Sequence, residues 1–307
     1  RLSRHLPPVV IGKREFSIEE RFLEPYIITP SLPKPKRVSS REITQSKYCY
    51  IIEALPQAGK TALLDRIGLK LSQLGIITAF ARFSDLTGIE SGKKGLISFL
   101  AATLRCSKTD SRNLLDCPIT VLLDDCDLRY DLPEWQLLTD WQSELKNVRI
   151  IAAGRTTTLP QSREKVKSWK HLSIQPLPVS LVKKEVNRLE DIAGDQFQSQ
   201  SNIQSTLTTL IDAELPRWPW VILLLFELAQ KFQVSDVRSI EGVLRKYADL
   251  RLGAFEASGT DRSATRARML RLLATEMINS QIKCMTERAV VNIFDQEITL
   301  CGLEGDG

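Results

Sequence analysis

Ala54-Leu55-Pro56-Gln57-Ala58-Gly59-Lys60-Thr61 is the stretch on which the fold turns. An apolar run, Tyr48–Glu53 (YCYIIE), precedes it and reads as a buried strand. In Thr61–Leu74, which follows, Leu63, Leu64, Ile67, Leu71 and Leu74 recur at helical spacing. The octapeptide fits the last three positions of the phosphate-loop pattern G-x-x-x-x-G-K-[ST] and has Ala54 at the first. Between a strand and a helix, such a loop offers backbone N–H groups and the positive helix end to phosphates. Pro56, Gln57, Ala58, Gly59, Lys60, Thr61 and Ala62 are the residues predicted to line them. Gly59 leaves the backbone unobstructed, Lys60 neutralises the β- and γ-phosphates, and Thr61 ligates Mg²⁺. Glycine at the Ala54 position often supplies a dihedral that alanine resists, so alanine is expected to weaken nucleotide binding.

Working outward, strands and helices alternate. Ile76–Phe83 reads as a strand, Leu96–Leu104 as a helix, Ile119–Leu123 as a strand, Pro133–Leu145 as a helix and Val148–Ala153 as a strand, with a further strand at His171–Ile174. This alternation predicts an α/β fold, a parallel sheet with helices on both faces, over residues 45–178, and the phosphate-loop motif makes it one of the P-loop NTPase type. Beyond it the pattern is helical over 180–250, with a clear helix at Ala264–Ile278 and another begun by Thr286. Residues 1–45 are Pro-rich and read as irregular, apart from a helix over Ser17–Tyr26 capped by Ser17. The basic cluster Lys34, Lys36 and Arg37 reads as a solvated loop.

Two strand ends carry further chemistry. Ile119–Leu123 runs into Asp124-Asp125-Cys126-Asp127. Asp124 is predicted to hold Mg²⁺ through its water shell, and Asp125 or Asp127 to orient the attacking water. The strand Val148–Ala153 leads through Gly154 into Arg155. In P-loop ATPases with a strand added between those carrying the loop and the acids, this tip reaches the γ-phosphate, where Arg155 senses its charge.

Composition bounds the rest. The chain has 307 residues, 43% of them hydrophobic and 26% charged, which excludes a disordered or collagen-like chain and fits about two domains. Lys plus Arg number 42 against 37 Asp plus Glu, a net +5 that permits a nucleic-acid partner without favouring one. No apolar run approaches the roughly 20 residues of a membrane span, so no membrane partner is expected. The six cysteines form no C-x-x-C pair and there are two histidines; Cys49 and Cys126 read as core thiols, and a reducing cytoplasm is expected. The chain begins at Arg1 rather than Met and is expected to be part of a longer one.

Taken together, these motifs resemble the STAND class of AAA+-related P-loop NTPases, most closely its NACHT branch, from about residue 8 to 295. Val9–Glu15 is similar to the segment that packs against adenine in that class, which implies a base-binding role for Ile11, Gly12 and Arg14. Ala54 and Gln57 stand where the NACHT loop usually has glycines, and Leu128 where its acidic motif usually has glutamate. Trp218-Pro219-Trp220 resembles the proline-led helix whose proline approaches the base, which implies that role for Pro219. The family's β-phosphate histidine has no counterpart after His171. The resemblance implies a lead-in over 1–45, a P-loop nucleotide-binding domain over 46–178, a small helical domain over 179–238 and a winged-helix-like domain over 239–307. It implies ATP/ADP and Mg²⁺ as ligands and slow hydrolysis. It also implies homo-oligomerisation on a trigger, with effector and sensor domains elsewhere in the full-length chain, in innate immunity or antiviral defence. An AAA+ ATPase acting on nucleic acid and a non-hydrolysing P-loop scaffold are the alternatives.

Overall fold

Alternate residues of the strands following Cys49 serve two different cores, and this places helices on both faces of one sheet. The computed structural model describes residues 10–11, 14–15, 17–30, 35–155, 166–193, 201–229 and 237–252, with short helical stretches at 271–273, 275–277 and 289–293. In chain order the elements are β1 (Val10–Ile11), β2 (Arg14–Glu15), α1 (Ile18–Arg21), β3 (Tyr26–Ile28), β4 (Arg37–Val38), α2 (Ser40–Gln45), β5 (Tyr50–Ala54) and α3 (Lys60–Gln73). β6 (Ile77–Arg82), α4 (Gly92–Leu104), α5 (Lys108–Leu114), β7 (Ile119–Cys126), α6 (Pro133–Glu144), β8 (Val148–Arg155) and β9 (Lys170–Gln175) follow. The helices α7 (Val179–Ala193), α8 (Ser201–Asp212), α9 (Pro219–Ala229) and α10 (Ile240–Leu252) come last. The chain divides into two compact units, residues 1–238 and 239–307.

β1 and β2 form a separate antiparallel pair. The remaining seven strands form one sheet in the order β4-β3-β9-β5-β8-β7-β6. Its five consecutive strands β9-β5-β8-β7-β6 are parallel, and β8 lies between β5 and β7. The expected α/β architecture, a parallel sheet with a strand inserted between the phosphate-loop strand and the acidic strand, is the one observed. One face packs Ile51, Val121, Leu123, Ile150 and Ala152 against Trp135, Leu138 and Trp141 of α6 and Leu96 and Leu100 of α4. On the other, α3 buries Leu63, Leu64, Ile67 and Leu71, and a side chain at Gly68 would touch Leu122 of β7. Each such Leu or Ile, fully buried, contributes about 2 kcal/mol of transfer free energy.

The N-terminal region departs from its predicted irregularity. β3 pairs antiparallel with β9, and β4 with β3, so this segment extends the sheet. The helix predicted over Ser17–Tyr26 does begin at a Ser17–Glu20 capping box, but it lasts one turn. Pro25 cannot continue a helix and biases Glu24 to extended backbone, so Tyr26 opens a strand instead. Within the first unit, α7, α8 and α9 pack on one another. All of α9 except Trp220 is buried, as expected for a helix apolar all round. Of the winged-helix-like domain predicted for 239–307, α10 and the short helical stretches named above are described; most of Ala264–Ile278 and the helix start at Thr286 lie outside the described residues. Among the described residues, no helix is long and apolar enough to cross a membrane.

Candidate nucleotide site

α3 starts differently from α2 and α5. α2 and α5 open with capping boxes, Ser39 with Glu42 and Ser107 with Asp110. α3 opens on Gly59, which has no side chain to cap the first turn, and that turn contains no acid. The positive end of a 14-residue helix is thus left open toward the loop, where it favours an anion. Gly59 has φ +93°, left-handed backbone that suits glycine, and an added Cβ there would meet open space.

The loop resolves the question raised by Ala54. Ala54 is the last residue of β5, buried and in extended backbone paired with Arg155 of β8, so it needs no glycine dihedral. The left-handed residue is Gln57, at φ +63°. Leu55, Pro56 and Gln57 are exposed at the tip, Ala58 is buried, and Ala62 is buried in the first turn of α3. Ala58 N–H donates to the Leu55 carbonyl, at 3.3 Å, closing the turn.

Lys60, Thr61, Asp124 and Arg155 converge here from three elements. The Thr61 hydroxyl donates to Asp124 Oδ2 at 2.6 Å, and Asp125 N–H donates to Asp124 Oδ1 at 2.9 Å. Asp124 is only 6% exposed. Lys60 Nζ donates to the carbonyls of Leu55 (2.9 Å) and Ala54 (3.2 Å). Burial pushes the Lys60 ammonium below the usual lysine range; Asp124 and Asp125 oppose that and Arg155 adds to it. Arg155 is exposed at the tip of β8, close enough for its charge to act on Lys60.

The two remaining acids fare differently. A bulge interrupts the β7–β8 register between Leu123 and Cys126, and Asp125 within it is exposed at φ +53°. Asp127 is engaged by Arg129, whose Nε and Nη2 reach its carboxylate at 3.0 and 2.7 Å, holding that carboxyl below its ordinary range. Trp135 Nε1 donates to the Asp127 carbonyl at 2.8 Å. Leu128 is buried in the core beside Gly154, not at the site. Cys49 and Cys126 are buried, and burial raises both thiols above their ordinary range.

Of the residues implicated in base binding, Ile11 and Arg14 pair across β1 and β2, and Gly12 lies outside the described residues. Pro219 opens α9 and is buried. Arg217, two residues earlier, is clamped to Leu177 just past β9: Leu177 N–H donates to the Arg217 carbonyl (2.9 Å) and Arg217 Nε to the Leu177 carbonyl (2.7 Å). Two contributors escaped sequence reading. Glu53, just before the loop, meets the Tyr130 hydroxyl at 3.4 Å and His171 Nδ1 at 3.5 Å, bracing β5 to β9 and to the turn after β7. Gly154 lets β8 pass the bulge, since a Cβ there would strike the Cys126 carbonyl oxygen and lie 2.8 Å from Leu128. Neither position bears a motif signal.

This donor set fits a magnesium nucleotide. The Thr61 hydroxyl and Asp124 carboxylate are hard oxygen ligands of the kind Mg²⁺ takes, usually with waters and substrate phosphates. The open helix start, Lys60 and Arg155 supply the complementary positive field for phosphates. An ion held by Thr61 and Asp124 would neutralise charge on the phosphates of a bound nucleotide.

No protein-family profile matches the chain, and no curated protein matches it in sequence. Solved structures give distant similarities. They include Aeropyrum pernix Orc1 in complex with DNA, at TM-score 0.42 and 13% identity over 86% of this chain and 82% of that one. AMPPCP-bound DnaA from Aquifex aeolicus aligns at TM-score 0.40 and 12% identity, over 83% of this chain and 73% of that one. A variant of Thermotoga maritima RuvB aligns at TM-score 0.39 and 14% identity, over 81% and 74%.

Proposed function

We propose that this chain is a P-loop ATPase of AAA+ type that binds ATP or ADP with Mg²⁺ and uses the nucleotide state to drive a conformational change. The observation that carries the reading is the part-buried Thr61–Asp124 pair set beside Lys60 at an uncapped helix start. In this reading Thr61 and Asp124 hold the metal, and Lys60 with the first-turn N–H groups of α3 holds the phosphates. Asp125 orients the attacking water, and Arg155 registers the γ-phosphate. Asp125 takes that role ahead of Asp127, whose carboxylate is committed to Arg129.

For the output, we favour action on nucleic acid over STAND/NACHT-type signalling. The acidic-motif positions that distinguish the NACHT branch are used structurally: Leu128 is buried in the core and the Asp127 carboxylate is held by Arg129 in the turn after β7. The basic residues beside β4 and α2 favour the nucleic-acid reading. The nucleotide reading is tested by steady-state hydrolysis with Mg²⁺ and with EDTA. Asp125→Asn is expected to lower kcat about 100-fold or more while nucleotide affinity stays within about threefold. Asp127→Asn is expected to change kcat by less than about fivefold. Equal losses in both variants would contradict the assignment.

A further inference from the structure

The chain's positive charge is not spread evenly. Residues 34–48 contain Lys34, Lys36, Arg37, Arg41 and Lys47 against Glu42 alone, so four of the five net positive charges lie in fifteen residues. Lys36, Arg37, Arg41 and Lys47 are all exposed. None has an ion-pair partner among the described residues, although Lys36 and Arg37 lie near enough to Glu42 to lower its carboxyl, behind the larger effect of the Ser39 cap. Lys170, exposed at the start of β9, adds a fifth cation to the structured patch and lies 3.4 Å from the Tyr48 ring centroid. Concentrated, unpaired like charge opposes folding through self-repulsion and does nothing for the nucleotide site.

Rigid elements hold this patch. β4 seats Arg37 against β3, where its guanidinium lies over the Tyr26 ring at 5.9 Å. α2 carries Arg41. Half-buried Arg149 anchors the end of that helix by donating to the carbonyls of Ile43, Thr44 and Ser46, immediately before Lys47. The patch therefore does not depend on a floppy tail.

We infer that the β4–α2 surface, through Lys36, Arg37, Arg41, Lys47 and Lys170, binds the phosphate backbone of a nucleic acid. A protein partner is disfavoured because such interfaces are anchored by apolar and aromatic side chains, and the one large exposed ring among the described residues, Tyr48, already has Lys170 against it. A membrane surface is disfavoured because α2 offers one large apolar residue, Ile43, and that is fully buried. A polyphosphate backbone requires only the cations. The inference rests on the nucleic-acid reading of the output and is independent of the phosphate loop.

The test is fluorescence anisotropy of a labelled 20-bp DNA duplex between 50 and 200 mM NaCl, about two helical turns and ample for the patch. Wild type is expected to bind with an affinity that falls steeply with salt. K36A/R37A/R41A/K47A should weaken binding at least tenfold at 50 mM and flatten the log–log salt slope by about 3 to 4, at roughly 0.9 per phosphate contact. The milder K36Q/K47Q should flatten it by about 2, with an unchanged circular dichroism spectrum in both variants. Lys60→Ala should bind DNA as wild type does. Salt-dependent binding that the quadruple variant retains in full would overturn this surface while leaving the nucleic-acid reading standing. No duplex binding by wild type, or binding only to anionic phospholipid vesicles, would overturn both.

Discussion

Gln57 shows how strain moves within a phosphate loop. A motif reading places the problem at Ala54, where glycine is absent, yet Ala54 ends a strand in ordinary extended backbone. The unfavourable conformation falls three residues later, on Gln57. Gln57→Gly is therefore expected to leave stability unchanged or raise it by up to about 1 kcal/mol, because relief of left-handed strain is partly offset by the freer unfolded chain. Ala54→Gly should cost about 0.5–1 kcal/mol and bring no gain in nucleotide affinity. Urea denaturation and nucleotide titration of the two variants check this, and tighter binding by Ala54→Gly would show that the loop has been misread. Gly154→Ala belongs to the same scale. Its methyl group would collide with the Cys126 carbonyl and Leu128, so about 2–3 kcal/mol should be lost in thermal or urea unfolding.

Elements were legible where periodicity and length were on the side of the reader. β5, α3, β7 and β8 follow from apolar runs and a helical stripe, and their chemistry follows because strand ends and helix starts are where backbone and acids become available. β3 and β4 were hidden by their length: strands of three and two residues show no alternation, and the prolines around them signal turns. They are strands because β9 offers a free edge beside them, a tertiary cause that local sequence does not contain. α2 had a signal, the Ser39-Ser40-Arg41-Glu42 capping box, which a six-residue helix gives little apolar periodicity to support. Ser39 accepts from Glu42 N–H at 3.1 Å, and Glu42 accepts from Ser39 N–H at 2.7 Å. Ser39→Ala should therefore cost about 1 kcal/mol of stability in urea unfolding. A Ser39→Ala protein as stable as wild type would mean that α2 is held by Arg149 and packing alone. At the site, the Asp125–Asp127 choice was not legible, because spacing alone does not reveal that Arg129 folds back onto Asp127.

At the scale of the whole molecule, a parallel sheet gathers its loops at one edge, so residues more than sixty positions apart, such as Thr61 and Asp124, meet there. Among the described residues the cations of β4 and α2 have no ion-pair partner, and the cluster of Lys60, Thr61, Asp124 and Arg155 has no structural task that a smaller apolar set would not do better. Burying Asp124 and Lys60 costs free energy, which the hydrogen bonds to Thr61 and to two carbonyls only partly offset. Such a cost is retained where a charged ligand completes the site. If nucleotide state drives assembly, light scattering should show a larger particle with Mg²⁺ and a non-hydrolysable ATP analogue than with ADP. An unchanged mass would confine the cycle to the single chain. The central claim, that this loop holds a magnesium nucleotide, is tested most directly by isothermal titration of the purified chain with that analogue and Mg²⁺, beside Lys60→Ala. One saturable site in wild type, weakened at least about 100-fold in Lys60→Ala and by removal of Mg²⁺, is the result expected. Wild type that takes up no nucleotide, or binds it as well without Lys60, would contradict the account.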